Sequence, residues 1–232
     1  MQDRGELFIQ LYNELDHWLK KIAKRRGSVP FWKRIREAAK YEPALNRYLD
    51  DLLEFHELRN AIIHHRSYPA ELLAMPTEET VERMQVILEK LLRPQLVGNA
   101  FKSDVHVFGP ATLLTEVLKY MRHNGYSQVV SRLDGKLKLT TSSGITRWLA
   151  AQAEAGCIDI EEVTLGDILP HDRSGAFELI AAHETVETAL ATFQKSLHAS
   201  KPRLFALIIT KNGEPQEAPL GIITPRDLLV ED

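Results

Sequence analysis

Cysteine is nearly absent: Cys157 is the only one in 232 residues. A lone thiol excludes an internal disulfide and any metal cluster built on cysteines. Long apolar runs are missing too. Nothing approaches the ~20 consecutive apolar residues that cross a bilayer, and the opening MQDRGELF has no apolar signal-peptide core. These absences give the expectation of a cytoplasmic protein without membrane contact. What is present is ordinary for folded chains: 44% hydrophobic and 26% charged residues, which excludes wholesale disorder. At about 100–200 residues per domain, the length suits two domains.

The net charge of −3 hides an uneven distribution. Residues 1–96 carry 16 Lys and Arg against 15 Asp and Glu, whereas residues 97–232 carry 13 against 17. Residues 20–36 hold eight cations (Lys20, Lys21, Lys24, Arg25, Arg26, Lys33, Arg34, Arg36) and no acid. Such a block is either an electrostatic footprint for phosphate polymers or a solvated helix end that complements the helix dipole.

The first ~95 residues carry helical periodicity. Phe8, Leu11, Leu15, Trp18 and Ile22 recur at three- and four-residue steps, as on a packed helix face. Gly27-Ser28 and Pro30 stop that helix, and a short basic helix is expected over 31–40. Pro43 suits the first turn of a longer helix, with a stripe of Leu45, Tyr48, Leu52, Phe55, position 59 and Ile62. A last helix over 77–92 opens on a Thr77 cap and an acidic first turn. Its face is Val81, Met84, Leu88 and Leu91, and Pro94 ends it. This pattern predicts an antiparallel helical bundle over residues 1–96.

Beyond Phe101 the period changes. Expected in order are a helix over 112–122, a strand over 126–132, a hairpin at Asp134-Gly135, a return strand over 136–141 and a helix over 144–154. The order then repeats: an extended segment over 177–182, a helix over 184–197, a strand over 204–210, a turn at Asn212-Gly213, a strand over 220–224 and a helix from Pro225. Residues 97–232 therefore read as an internal repeat, with copies over about 101–155 and 163–232. Each copy is too small to bury its sheet alone, so the two should pack together. The fold class expected for the whole chain is α+β.

The repeat resembles a pair of CBS domains, with β-α-β-β-α type repeats. The stretch Gly221-Ile222-Ile223-Thr224-Pro225-Arg226-Asp227-Leu228-Leu229 is similar to that family's strand-to-helix signature of glycine, two apolar residues, Thr, two variable residues, Asp and an apolar residue. The stretch from Leu179 to Val186 is similar to its entry strand and helix start. Read as chemistry, a helix beginning at Pro225 would leave N–H groups free for a phosphate. Thr224 would add a hydroxyl, Arg226 a guanidinium fork and Asp227 an acceptor for two ribose hydroxyls. Alternatively Thr224 caps the helix and Asp227 suits its dipole. The resemblance implies a regulatory ligand such as AMP, ATP or a related adenine nucleotide, with Ile180 on the wall beside the base and no metal required. It also implies a homodimer. In the first copy the matching stretch is Leu139-Thr140-Thr141-Ser142-Ser143-Gly144-Ile145. There Gly144 stands at the aspartate place and Lys138 at the glycine place, so one site, on the second copy, is expected.

In the helical half, the apolar stripe is broken by Arg59. A guanidinium facing a core needs an acid such as Glu54 or Glu57, or else a cleft or interface. His56, Asn60 and His64 lie at four-residue spacing on one face. Leu58-Arg59-Asn60-Ala61-Ile62-Ile63-His64-His65 resembles the motif of HEPN domains, helical bundles of which many are metal-independent endoribonucleases acting as dimers. The resemblance implies Arg59, Asn60 and His64 as catalytic residues and RNA as substrate. On an ideal helix Arg59 and His64 point about 140° apart, so a shared site calls for two helices meeting at a two-fold axis. His64 would then serve as base or acid, Arg59 would neutralise phosphate charge and Asn60 would orient the group. Two other readings stand beside it: a non-catalytic bundle for dimerisation or partner docking, and zinc held by His56, His64 and His65.

Overall fold

The computed structural model describes residues 3–23, 29–64, 74–154, 156, 159–172, 175–198 and 203–228, with the side chains of Pro43, His64 and His198 outside that description. The Gly27-Ser28 stop, the cations Lys24, Arg25 and Arg26, His65, Cys157 and Leu229 also lie outside the described residues. The chain divides into two compact units, Met1–Pro94 and Gln95–Asp232.

The first unit is helical among its described residues. Helix α1 (Arg4–Ile22) starts where the Asp3 carboxylate accepts from the Gly5 N–H. Helix α2 (Phe31–Ala38) follows, then a 3-10 segment Pro43–Tyr48, helix α3 (Leu49–His64) and helix α4 (Glu78–Leu92). Thr77 caps α4 by accepting from the Thr80 N–H. Two expectations are corrected. The inner face of α1 is Phe8, Tyr12, Leu15 and Leu19, while Leu11, Trp18 and Ile22 sit at its half-buried flank. The stripe is rotated because Tyr12 is drawn inward by a polar partner described below. The helix expected from Pro43 begins instead as a 3-10 turn, whose three-residue period puts Leu45 and Tyr48 on the same side and keeps both in the core.

The second unit contains helix α5 (Val97–Ala100), strand β1 (Val107–Phe108), helix α6 (Leu114–Asn124), strands β2 (Gln128–Leu133) and β3 (Lys136–Thr141), and helices α7 (Ser142–Glu154) and α8 (Leu165–Ile168). Then come strand β4 (Phe177–Ala181), helix α9 (Val186–His198) and strands β5 (Ala206–Thr210) and β6 (Pro219–Ile223). Two three-stranded sheets result, β1-β2-β3 and β4-β5-β6, each with a parallel first pair and an antiparallel second pair. The shared topology makes the internal repeat a structural one. Val130, Leu137 and Leu139 of the first sheet pack with Ala206 and Ile208 of the second. The outer face of the first sheet is covered by α6, α7 and α8, and that of the second by α5 and α9.

The small helices are exchanged between the copies. Helix α5, which lies between the helical unit and the first copy in the chain, belongs to the second copy. The Val97 N–H donates to the Glu184 carbonyl at 2.9 Å and the Gly98 N–H to the Ala182 carbonyl at 3.0 Å. A Cβ on Gly98 would lie 2.7 Å from that of Ala182. Conversely α8, which precedes the second copy, packs on the first: the Leu114 N–H donates to the Val163 carbonyl at 2.7 Å, and Leu165 and Ile168 join the first copy's core. The helix expected from Pro225 is absent among the described residues, where 225–228 form a turn closed by the Asp227 N–H on the Thr224 carbonyl.

Candidate functional site

A cleft of about 680 Å³ opens in the second unit between the two copies. The first copy contributes Asp104, Val105 and His106 ahead of β1, with Tyr120, Tyr126 and Val130. The second contributes Arg203 and Phe205 beside β5, Ile222 on β6 and Thr224–Asp227 after it. The wall thus combines apolar strand residues, four rings (His106, Tyr120, Tyr126 and Phe205, with His106 and Tyr126 each within 6 Å of Tyr120), two arginines and two acids.

Of the residues expected at a nucleotide site, the structure brings Thr224, Arg226 and Asp227 to this cleft. Asp227 Oδ2 accepts from the Thr224 N–H at 2.7 Å and from its hydroxyl at 2.8 Å. The acid therefore closes the turn through one oxygen, and its other oxygen has no partner among the described residues. Arg226 is exposed on the turn, and Arg203 lies over Phe205, its guanidinium carbon 5.8 Å from the ring centre. The motif glycine also has a physical reason: a Cβ on Gly221 would overlap the Phe101 carbonyl, which follows α5. Ile180 is a correction. It is buried with Val186, Phe193 and Ile209 beneath α9 and does not line the cleft, because successive strand residues face opposite ways. Ile222, Val105 and Val130 form the apolar wall instead.

The first copy holds a carboxylate that the motif does not show. Thr141, at the end of β3, donates its hydroxyl to Asp172 Oδ1 at 2.7 Å and its N–H to the same oxygen at 3.2 Å. These are the two bonds that Thr224 gives Asp227. Gly144 leaves the space, since a Cβ there would overlap the Asp172 carboxylate. Gly144 therefore marks an acid delivered from elsewhere in the chain rather than an acid lost. Asp172 Oδ2 is buried without a partner among the described residues. Burial raises the pKa of this carboxyl, opposed by the Thr141 bonds and by Arg147 and His171.

In the helical unit, Arg59 and Asn60 fall into one network on α3. Arg59 Nη1 donates to Asn60 Oδ1 at 3.2 Å, Asn60 Nδ2 lies 3.2 Å from His56 Nε2, and His56 Nδ1 lies 2.6 Å from the Tyr12 hydroxyl. The Phe31 ring stacks on His56 at 4.4 Å, and the Arg59 guanidinium carbon is 5.6 Å from the centre of the Tyr12 ring. Arg59 Nε is buried without a partner, and no described carboxylate is paired with this arginine. Asp16, whose charge acts on both Tyr12 and His56, is paired with Arg34 and Lys20. Burial lowers the His56 pKa below its ordinary 6.5; Glu57 and Asp16 oppose this, while Arg59 and Arg34 add to it. Burial and Asp16 push the Tyr12 phenol well above its usual range. The His64 backbone ends α3, but its side chain, which the catalytic and zinc readings both need, lies outside the described residues. Among the described residues no group of three His, Cys, Asp or Glu could hold a metal ion, and no helix is long and apolar enough to cross a membrane. Tyr12 carried no sequence signal of a site role, and Asp172 none at all.

No protein-family model and no curated protein matches this sequence. Among solved structures, a CBS domain-containing protein from Kribbella flavida is similar at 18% identity, over 57% of this chain and 94% of its own, with a TM-score of 0.42. A conserved CBS domain protein from Thermoplasma acidophilum is similar at 17% identity, over 59% of this chain and 68% of its own, with a TM-score of 0.43. The protein CBSX2, crystallised in complex with AMP, is similar at 14% identity, over 58% of this chain and 93% of its own, with a TM-score of 0.41.

Proposed function

We propose that the second unit is a CBS-type regulatory pair that binds an adenine nucleotide in the cleft bearing Thr224 and Asp227. The observation carrying this reading is that one carboxylate oxygen of Asp227 is held by Thr224 while the cleft also presents Arg203 and Arg226. The free oxygen of Asp227 accepts from a ribose hydroxyl, the arginines take phosphate oxygens and Val105, Val130 and Ile222 lie along the base. Calorimetry with AMP, ATP and adenosine tests it, beside mass spectrometry of whatever co-purifies. Saturable binding that Asp227→Ala weakens supports the reading, and equal affinity in that variant refutes it.

For the first unit, the unneutralised charge of Arg59 favours a phosphate-binding role over plain packing. The reading is a metal-independent endoribonuclease working as a homodimer. The His64 imidazole takes the proton of a ribose 2′-hydroxyl as its oxygen attacks phosphorus, the bond from phosphorus to the 5′-oxygen breaks and that oxygen takes the proton back from the imidazolium, and Arg59 balances charge on the phosphoryl oxygens. The products are a 2′,3′-cyclic phosphate and a 5′-hydroxyl. In the competing role the bundle serves dimerisation or partner docking without chemistry. Labelled RNA incubated with the protein in EDTA separates the two, with Arg59→Ala and His64→Ala as controls. Uncut RNA leaves the docking role.

A further inference from the structure

The network around Arg59 has only one self-consistent arrangement of hydrogens. A guanidinium donates and never accepts, so the Asn60 atom facing Arg59 Nη1 at 3.2 Å is its oxygen. The Asn60 NH2 group then faces His56 Nε2 at 3.2 Å, and an amide NH2 only donates, so Nε2 must be a bare acceptor. The ring hydrogen of His56 therefore sits on Nδ1 and is given to the Tyr12 oxygen at 2.6 Å. Phe31, stacked at 4.4 Å and 10° to the imidazole, holds the plane of the ring. An imidazolium would turn an Nε2–H against the Asn60 NH2 group, so the chain forms only with neutral His56.

We propose that Tyr12 and His56 are positioning residues that lock Asn60, and through it Arg59, in the orientation that offers the arginine to a phosphodiester. The inference rests on the phosphate-binding reading of Arg59 and adds two side chains outside the Arg59–Asn60–His64 motif. Three elements converge to build it: Tyr12 from α1, the Phe31 platform from α2, and His56, Asn60 and Arg59 from α3. Asn60 spends its oxygen on Nη1, which fixes the plane of the guanidinium while the electron-rich face of Tyr12 supports it from below. Nη2 has no partner among the described residues and is left for an anion, while Nε is buried with its N–H unpaired. The groups that bear on the charge of His56 are Tyr12 and Asp16 on α1, Arg34 on α2, and Glu57 and Arg59 on α3. Acid that protonates His56, below its ordinary 6.5, undoes the lock.

The primary test is long-range nitrogen–proton NMR of the full chain with ¹⁵N-labelled histidine at pH 7.5. His56 should carry its hydrogen on Nδ1; a hydrogen on Nε2, or an imidazolium, overturns the proposal. A single-stranded RNA with 2′-O-methyl sugars, which cannot be cleaved at the modified positions, then reads the consequence. Tyr12→Phe keeps the ring and removes the acceptor, and should weaken binding about 3–10-fold. His56→Leu should weaken it as much as Arg59→Ala, while His56→Gln, whose amide oxygen can replace Nε2, should recover most of the affinity. The loss of affinity below pH 6.5 should vanish in His56→Gln. Circular dichroism shows whether His56→Leu folds, and the Tyr12→Phe result stands without it. Unchanged affinity in both Tyr12→Phe and a folded His56→Leu overturns the proposal. A wild-type chain that binds no RNA sinks the phosphate-binding reading, and the tautomer still decides whether the lock exists.

Discussion

In the second copy the threonine that follows the last strand and the acid that binds it are three residues apart; in the first copy the same pair of bonds joins residues 31 apart. The second pair, Thr224 and Asp227, lies on an exposed turn at the rim of a cleft, whereas the first, Thr141 and Asp172, is half-buried. A local acid closes a turn and leaves its other oxygen without a partner among the described residues. A distant acid pins a loop to a helix start, and its second oxygen is withdrawn from water. One hydrogen-bond pattern thus does two jobs, and burial decides which.

The comparison breaks first at Asp227. Asp227→Ala removes the free acceptor and should lower nucleotide affinity by about 2–3 kcal/mol, the range for hydrogen bonds to a charged group, or roughly 30–150-fold. The same change at Asp172 should leave calorimetric affinity in the cleft within about twofold; a reversed order would move the binding site to the first copy. Next come the threonines. Thr141→Val removes the hydroxyl that donates to the half-buried Asp172 carboxylate and accepts from the Gly144 N–H, leaves the backbone N–H in place, and should cost about 1–3 kcal/mol in urea unfolding. Thr224→Val, on an exposed turn, should cost less than about 1 kcal/mol.

A smaller effect sharpens the role of Gly144. Ala in place of Gly inside a helix normally gains about 0.5–1 kcal/mol. Here the new methyl meets the Asp172 carboxylate, so Gly144→Ala should instead lose about 1–2 kcal/mol. In an Asp172→Ala background the ordinary gain should return, and a double-mutant cycle would read the difference as coupling. Additive effects would show that the carboxylate does not occupy that space.

The smallest effect concerns pH. The folded-state pKa of Asp172 is raised above its ordinary 3.8, chiefly by burial. Its contribution is therefore most favourable below that value and is lost as pH rises through the folded pKa. Asp172→Asn, which keeps an acceptor for Thr141, should flatten this slope and change stability at pH 7 by less than about 1 kcal/mol. A melting-temperature series from pH 4 to 7 checks it; an unchanged slope would mean that other groups set the dependence.

The parts of this architecture legible in sequence were those set by local chemistry. Strand 136–141 was readable because Asp134 and Gly135 adopt positive φ, as a tight hairpin requires. Helix α4 was readable because Thr77 caps it and an acidic turn follows. The α1 face was read one step out of phase, since Trp18 and Ile22 are as apolar as Leu19 and the decisive contact, Tyr12 with His56, is made across 44 residues. Helix α8 did carry a signal, the Thr164–Asp167 capping box, but four residues give too little periodicity to find it. In the candidate sites, Thr224 and Asp227 were legible because they share a turn. Asp172 was not, because nothing around position 172 encodes the space left at Gly144.

The exchange of α5 and α8 between the copies has a consequence for biosynthesis. As the chain emerges from the ribosome, Val97 and Gly98 appear before any strand of the unit, yet the backbone they bond to, at Ala182 and Glu184, follows roughly eighty residues later. At about 5–20 residues per second that is a delay of some 4–16 seconds. A four-residue helix cannot persist alone for that time, so α5 is made early and ordered late. The first copy, too, must wait for Leu165 and Ile168 before its core closes. The first copy can close its core once α8 is made, whereas α5 docks only after the second sheet has left the exit tunnel, so protease resistance should reach the second copy last.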